Sequence, residues 1–209
     1  PLLPNESCNL GSINLAKFYQ GDEGPTHGWS EKVGWGRLEK VTRTSVHFLD
    51  NVIDANKYAT PEIEEMTKAT RKIGLGIMGF ADLLIQMQIP YDSQLAREVG
   101  GTIMARVKEW ADDQSKELAK SRGVFPAWED SNYDKQTEVY RNHCRLTVAP
   151  TGTISMIADT SSGVEPTFAL AWKKQNILEG KTLNYVNKYL EEDSKKHGFY
   201  SEDLMDYLG

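Results

Sequence analysis

Residues 71–84 have the sequence RKIGLGIMGFADLL, in which three glycines punctuate a run of apolar residues. The glycines at 74, 76 and 79 follow the G-x-G-x-x-G spacing of dinucleotide-binding folds. That fingerprint has to follow a buried hydrophobic strand, whereas residues 64–72 are polar and have a helical pattern. We therefore reject a dinucleotide site. We predict an extended segment over Ile73–Phe80, whose glycines let another backbone or a bulky ligand approach closely.

Amphipathic helices are predicted on both sides of this segment. The first spans Arg37–Asn56, and its apolar face consists of Leu38, Val41, Ser45, Phe48, Leu49, Val52 and Ile53. Thr60 as N-cap and Pro61 at the first helical position predict a second helix that runs to about Arg71. Beyond the glycines we predict a helix over Ala81–Met87 and a turn at 90–93. A long helix follows from about Gln94 to Arg122, ended by Gly123, with a buried stripe of Leu95, Val99, Ile103, Val107, Trp110, Ala111 and Leu118.

The outer parts of the chain contain shorter elements. Residues 9–18 predict a strand or a short helix, residues 19–36 an exposed loop, and residues 127–142 a polar surface excursion. Later elements are a strand over Cys144–Ala149, a short helix over Ile154–Ala158, a second strand over Val164–Trp172, and a polar, helical tail with Ser201 as an N-cap. Helices between glycine-marked strands indicate an α/β layer or barrel.

The strongest local chemical signal is APTGTIS at residues 149–155. It combines a strand end, a tight glycine turn and a helix start that carries three hydroxyls. Free N–H groups and the positive dipole end of a helix suit a phosphate, and Thr151, Thr153 and Ser155 could add hydroxyl donors. The Walker lysine is missing, which excludes a nucleotide-triphosphatase P-loop. An equally good explanation from the residues alone is that the hydroxyls cap the helix.

Two cysteines, Cys8 and Cys144, are too few for a disulfide scaffold, so a reducing cytosol is expected. A lone cysteine is more often a small buried hydrophobe than a reactive thiol. The residues alone therefore favour a structural role for both cysteines. The four histidines show no metal-ligand spacing, and no metal site is predicted.

Composition excludes several classes of protein. The 209 residues include 24 basic and 30 acidic side chains, and the net charge of −6 argues against a nucleic-acid or anionic-membrane surface. No apolar run approaches the roughly 20 residues that span a bilayer. Residues 1–6, PLLPNE, lack the features of a signal peptide, so a cytoplasmic protein is expected. They also contain no methionine, which suggests that the chain is a segment of a longer protein.

Three segments together resemble the ribonucleotide reductase family. Residues 5–15, NESCNLGSINL, resemble the stretch just after the finger loop that bears the radical cysteine. Residues 71–84 resemble the family's glycine-rich barrel segment. Residues 149–155 with 161–166, SSGVEP, resemble its substrate-phosphate loop and the strand after it. These segments occur in the family's order and spacing, and the resemblance extends over essentially the whole chain.

The resemblance implies a fold, a ten-stranded α/β barrel of two half-barrels around a central finger loop. Residues 1–209 would form a partial catalytic barrel domain, mostly the second half. The finger loop with the thiyl-radical cysteine is expected immediately before Pro1, and the first half-barrel and the final strands are expected outside the chain. We accordingly expect these residues alone not to reduce a ribonucleotide.

The resemblance also implies a reaction, the reduction of nucleoside diphosphates (or triphosphates) to 2′-deoxyribonucleotides by thiyl-radical chemistry. Residues 50–54 and 89–93 favour the class that uses adenosylcobalamin. Cys8 matches one of the two cysteines that supply electrons and become a disulfide, with an external dithiol such as thioredoxin as reductant. The substrate-binding residues would be Asn9 and Leu10 at the ribose and Pro150, Thr151, Gly152, Thr153, Ile154 and Ser155 at the phosphates. The remainder of the barrel is a required partner, and the complete protein could be a homodimer.

Two other functions stay open at this point. One is the large subunit of an iron-dependent class I reductase, which needs a radical-donating partner subunit. The other is a non-catalytic nucleotide-binding or assembly module, such as one half of a split protein.

Overall fold

The structure is a computed structural model that describes residues 2–21, 28–135, 137–177 and 181–208, with backbone alone for 172–177 and 181–184. Its strands are β1 (Asn9–Asn14), β2 (Ile73–Met78), β3 (Ala171–Ile177) and β4 (Lys181–Val186). The helices are α1 (Trp35–Ala55), α2 (Pro61–Thr70), α3 (Phe80–Gln86), α4 (Gln94–Arg122), α5 (Gly152–Ile157), α6 (Lys188–His197) and α7 (Glu202–Leu208). Short 3-10 turns occupy Leu15–Phe18 and Trp29–Lys32.

The glycine-rich segment forms β2, the central strand of the fold. β1 pairs with it in parallel from Asn9 opposite Ile73 to Asn14 opposite Met78. On its other side, β2 is bonded to residues 144–147, because Leu75 N donates to Arg145 O and Thr147 N donates to Leu75 O, at 2.9 and 3.0 Å. Every residue of β2 is buried, as expected of a strand inside a parallel arrangement.

The predicted strand over Cys144–Ala149 is shorter than expected. Its pairing with β2 is a single parallel bridge, between Leu146 and Leu75. Ile73 N donates to Cys144 O, while Leu75 N donates to the very next carbonyl, that of Arg145. This one-residue irregularity interrupts the ladder, since a regular strand advances by two residues between such bonds.

Helix α1 packs against β1 and β2, and α4 packs against α1. The buried core includes Ile13, Leu15, Leu38, Val46, Leu49, Ile53, Ile73, Leu75, Ile77, Leu83, Leu84, Val99, Ile103, Val107 and Ala111. Parallel strands backed by helices form an α/β layer, which agrees with the predicted fold class.

The local signals for helix ends are confirmed. The hydroxyls of Thr60 and Ser93 accept from Ile63 N and Ala96 N at the starts of α2 and α4. Gly123 ends α4 with a positive φ of 82°. Ser201 also acts as predicted, because its hydroxyl accepts from Leu204 N at 3.0 Å.

The predicted apolar face of α1 is confirmed at Leu38, Leu49 and Ile53, which are buried, but not at its other positions. Val41 and Phe48 are 39% and 63% exposed, whereas Thr42 and Val46 are fully buried. Leu95, assigned to the buried stripe of α4, is 40% exposed. The cause in α1 is tertiary: the row at 38, 42, 46, 49 and 53 is buried, while the row at 41, 45 and 48 borders a pocket beside β1.

Four other predictions need correction. The strand predicted over Val164–Trp172 is wrong, since extended structure starts at Ala171 and continues in the antiparallel hairpin of β3 and β4. The predicted helical tail therefore includes an unforeseen hairpin before α6 and α7. The excursion over residues 127–142 is not wholly superficial, because Tyr140 and Asn142 are buried. Of the predicted loop over residues 19–36, residues 22–27 lie outside the described residues, and Val33 is buried.

In the described part of the chain, no helix is both long enough and apolar enough to cross a membrane. The longest, α4, has 29 residues and alternates buried apolar positions with charged ones.

Candidate functional site

Cys8 lies just before β1, where its sulfur faces the glycines of β2. A Cβ atom built on Gly74 would lie 3.3 Å from Cys8 Sγ, 2.5 Å from Leu10 Cδ2 and 2.9 Å from Thr147 Cγ2. Three side chains from neighbouring backbone segments therefore converge over a residue that has none. Glycine is needed in this strand because a side chain there would displace all three.

This convergence defines one face of the sheet, which we call the glycine face: Cys8, Leu10, Ser12, Gly74, Gly76 and Thr147. Leu10 is 57% exposed there although it is apolar. The opposite face is covered by helices, as shown by the approach of Leu49 of α1 to Gly11. The glycine face is thus where the sheet is open to a ligand or to further protein.

The thiol of Cys8 is kept protonated by its surroundings. Burial raises the pKa of Cys8 to about 11, and the nearby Cys144 and Glu6 add to the rise, while Lys72 opposes it. A thiolate loses solvation when it is buried, so the neutral thiol is favoured. Both cysteines are free. At neutral pH the Cys8 thiol is a hydrogen-bond donor and a poor nucleophile.

A buried ion pair anchors the backbone that precedes Cys8. Lys72 Nζ donates to Glu6 Oε2 at 2.6 Å, and Thr70 Oγ1 donates to Glu6 Oε1 at 2.5 Å. Leu3 N donates to the same carboxylate at 2.8 Å. Burial raises the pKa of Glu6, but these hydrogen bonds outweigh it and leave the pKa below its usual value. Sequence reasoning missed the pair, since its members are 66 positions apart and no pattern links them.

The two residues after Cys8 point in opposite directions. Leu10 lies on the glycine face, whereas Asn9 Nδ2 donates to Leu49 O of α1 at 2.8 Å. Strand residues alternate between faces, so Asn9 can contribute only its backbone to a ligand on the glycine face. Leu10 is the member of the predicted pair whose side chain is available.

The predicted phosphate turn is built around Thr151, which adopts the left-handed conformation with φ 57°. Helix α5 starts at the next residue, and Ser155 N makes the first helical bond, to Thr151 O at 2.9 Å. Within the described residues, the N–H groups of Gly152, Thr153 and Ile154 have no backbone or side-chain acceptor. These three are the donors that a helix start leaves free.

The three hydroxyls of the turn do not share one role. Thr151 Oγ1 accepts from Gly163 N at 2.7 Å, and Ser155 Oγ is hydrogen bonded to Gly152 O and to Ser162 Oγ. Thr151 and Ser155 are buried, and Thr153 is exposed. The hydroxyls of Thr151 and Ser155 therefore hold the turn in shape, and only Thr153 presents its hydroxyl outward.

Cys8 and the turn occupy opposite ends of the strands. Cys8 lies beside Gly74, whereas the segment that closes the turn reaches Gly79, whose N–H donates to Ser161 O at 2.7 Å. Five residues of chain separate these levels, roughly 16 Å at about 3.3 Å per residue. A ligand that contacts both has to lie along the strands.

The described residues contain no cluster of three or more histidine, cysteine, aspartate or glutamate side chains that could hold a metal ion.

The chain matches the family model for the ribonucleotide reductase barrel domain over residues 1–208. A solved structure of the class Id ribonucleotide reductase alpha subunit of Actinobacillus ureae superposes with a TM-score of 0.70 at 25% identity, over 96% of this chain and 34% of that one. Residues 1–208 therefore belong to the ribonucleotide reductase barrel family, and their α/β layer is part of a larger barrel.

Curated relatives narrow the similarity further. The vitamin B12-dependent ribonucleoside-diphosphate reductases of Thermoplasma acidophilum and Mycobacterium tuberculosis (strain H37Rv) are 47% and 44% identical over 98% of this chain. The ribonucleoside-diphosphate reductase subunit alpha of Chlamydia trachomatis is 34% identical over 96% of it. The chain covers 26%, 27% and 22% of these three proteins, respectively.

Proposed function

We propose that these residues form the substrate-reducing part of an adenosylcobalamin-dependent ribonucleotide reductase that converts nucleoside diphosphates to 2′-deoxyribonucleotides. The observation that carries the proposal is the thiol of Cys8 on the glycine face, with the turn at 150–155 at the far end of the same strands. The relatives named as vitamin B12-dependent are 44–47% identical, against 34% for the Chlamydia subunit alpha. This difference favours the cobalamin-dependent class over the iron-dependent one.

Cys8 would supply reducing equivalents to the sugar. Two thiols lose two electrons and two protons and become a disulfide, while the 2′ hydroxyl leaves as water and hydrogen takes its place. The pKa of about 11 keeps Cys8 protonated before the reaction, so the proton it must deliver is in place. The second thiol is expected elsewhere in the polypeptide, and a thioredoxin-like dithiol would reduce the disulfide by exchange.

The turn would hold the substrate by its phosphates. The free N–H groups of Gly152, Thr153 and Ile154 and the hydroxyl of Thr153 are the available donors, and Pro150, Thr151 and Ser155 shape the turn. Fixing the phosphates at one end of the glycine face restricts where the sugar can lie. The exposed side chain of Leu10 and the backbone of Asn9 would line the ribose pocket.

Adenosylcobalamin, when bound, supplies a radical by cleavage of its cobalt–carbon bond. Within this chain, Leu10 and Ser12 border the open space that the cofactor and the substrate would share. Support for this cofactor comes from the relatives named as vitamin B12-dependent reductases. We further infer a cytoplasmic protein, since a redox thiol must be reduced after each turnover, and a homodimer as the complete assembly.

The test is Cys8→Ser, with Cys144→Ser as the matched control, in a reductase polypeptide that carries the whole barrel. Cys8→Ser should abolish multiple turnover with a small dithiol while cleavage of the cofactor's cobalt–carbon bond, followed by absorbance, is retained. Cys144→Ser should retain turnover. Full activity of Cys8→Ser would remove Cys8 from the redox role and favour a non-catalytic nucleotide-binding module.

A further inference from the structure

Asp82, in the first turn of α3, is a buried carboxylate whose role the proposed reaction does not explain. It is 3% exposed, and no lysine, arginine or histidine forms an ion pair with it in the described part of the chain. A buried charge of this kind persists only where hydrogen-bond donors replace water. The groups that donate hydrogen bonds to Asp82 therefore show which parts of the chain it connects.

The two oxygens of Asp82 face different parts of the molecule. Oδ2 accepts from Thr160 Oγ1 at 2.9 Å and from Ser161 N at 2.8 Å. Oδ1 accepts from Asn187 Nδ2 at 3.1 Å, on the residue that caps α6. One oxygen thus binds the segment after α5, and the other binds the start of α6.

The segment at residues 160 and 161 both donates hydrogen bonds to Asp82 and accepts hydrogen bonds from the backbone at the start of α3. Asp82 N donates to Ser161 Oγ at 3.2 Å, and Gly79 N donates to Ser161 O at 2.7 Å. A Cβ on Gly79 would lie 2.6 Å from Thr160 Oγ1, so a side chain at 79 would displace the segment. The carboxylate and the glycine together specify the position of Thr160 and Ser161. We call the contacts of Asp82 with Thr160, Ser161 and Asn187 the clamp.

The next two residues connect this clamp to the phosphate turn. Ser162 Oγ is 2.8 Å from Ser155 Oγ, and Gly163 N donates to Thr151 Oγ1 at 2.7 Å. A Cβ on Gly163 would lie 2.9 Å from Ala149 O, which shows how closely the two segments approach. The buried hydroxyls of Thr151 and Ser155 are thus held by Ser162 and Gly163, which directly follow the two residues that Asp82 binds in this segment.

We propose that Asp82 is a positioning residue for the phosphate turn, acting through residues 160–163 on Thr151 and Ser155. The proposal rests on the proposed function of the turn at 150–155. A carboxylate suits the role because it only accepts hydrogen bonds, and all three groups that face it are donors. Asparagine at this position has one acceptor oxygen instead of two, so it cannot accept both from residues 160 and 161 and from Asn187.

The experiment compares Asp82→Asn with Asn187→Ala in a reductase polypeptide that carries the whole barrel. Asp82→Asn should raise KM for a nucleoside diphosphate about tenfold, since a charge-assisted hydrogen bond is lost at the clamp, with a smaller change in kcat. Asn187→Ala removes the partner of the other oxygen and should leave KM near its original value. An unchanged KM in Asp82→Asn, or an equal rise in both variants, would overturn the proposal.

A second readout separates positioning from general structure. Inhibition by a 2′-deoxynucleoside diphosphate, the product, should weaken in Asp82→Asn, whereas inhibition by the same deoxynucleoside without phosphates should not. If Asp82→Asn does not fold, Thr160→Val removes one donor and keeps the carboxylate, and it should show the same selective weakening to a smaller degree. Equal weakening for both inhibitors would contradict a role at the phosphates.

Thr153→Glu distinguishes failure of this proposal from failure of the proposed function. The added charge lies at the exposed position of the turn and should repel a phosphate there. A raised KM in Thr153→Glu with no effect of Asp82→Asn would reject the role of Asp82 alone. No effect of Thr153→Glu would reject the phosphate turn, and the role of Asp82 with it.

Discussion

At the scale of the residue, Cys8 shows how position controls the chemistry of a thiol. Cys144 is exposed, while Cys8 is half-buried beside Gly74 with a pKa raised to about 11. Burial is the main cause of the raised pKa of Cys8, the nearby Cys144 and Glu6 add to the rise, and Lys72 opposes it.

A prediction follows for the reactivity of Cys8. In Cys144→Ser, Cys8 is the only cysteine of the chain, and its alkylation reports its thiolate alone. Because the pKa is raised, the thiolate fraction at pH 7 is very small, and the rate should increase about tenfold per pH unit until the pH approaches 11. The rate of iodoacetamide modification between pH 6 and 11, followed by mass spectrometry, measures this. A plateau near pH 8.5, the ordinary thiol pKa, would contradict it.

At the scale of the element, β2 is a strand in which glycine makes room for its neighbours. Gly74 accommodates Cys8, Leu10 and Thr147, and a Cβ on Gly76 would lie 2.7 Å from Thr147 O. Because Gly74 and Gly76 have no side chains on this face, side chains from the two neighbouring backbone segments can meet over β2.

Gly74→Ala should destabilise the fold by about 1–3 kcal/mol, the range for overpacking a well-packed site. The added methyl group would approach Leu10 Cδ2 to 2.5 Å and force the side chains over it to shift. Gly101→Ala is the matched control, because it lies in α4 with nothing within 4 Å of a Cβ, and it should stabilise by roughly 0.5–1 kcal/mol. Urea unfolding of both variants measures the free energy of unfolding. Equal effects would show that space over β2 is not limiting.

At the scale of the whole molecule, Asp50 connects helices to the strand layer. This fully buried residue of α1 accepts from Arg71 at the end of α2, at 2.9 Å, and from Arg122 at the end of α4, at 3.0 Å. Asn142 Nδ2 donates to it at 2.9 Å and to Arg71 O at 3.1 Å. Four separate parts of the chain therefore meet at one carboxylate.

Asp50→Asn should lower the free energy of unfolding by about 3–5 kcal/mol, because it removes the fully buried counter-charge of Arg71 and leaves only the partly exposed Asp54 to pair with it. Asp54→Asn is the control, since its side chain is 53% exposed and pairs with the same arginine, and it should change stability by about 0–1 kcal/mol. Thermal and urea unfolding of the two variants test the difference. A loss for Asp50→Asn no larger than that for Asp54→Asn would show that this cluster does not organise the fold.

The amino-acid sequence by itself determined the helices, because their signals lie within a few residues of one another. Thr60 with Pro61, Ser93 and Gly123 mark helix ends through local hydrogen bonds and backbone angles. Residues 5–15, 71–84 and 149–155 were also sufficient to indicate the family. These motifs predicted which residues form the candidate site, but they did not predict the direction in which each side chain points.

Only the tertiary structure decided which groups meet. Glu6 and Lys72 are 66 positions apart, and Asp82 and Thr160 are 78 apart, so no local pattern connects them. The buried face of α1 and the side of β1 on which Asn9 lies were likewise set by neighbours distant in the sequence. The physical reason is that periodicity and capping act over one or two turns of chain, whereas burial and charge pairing depend on what the fold brings into contact.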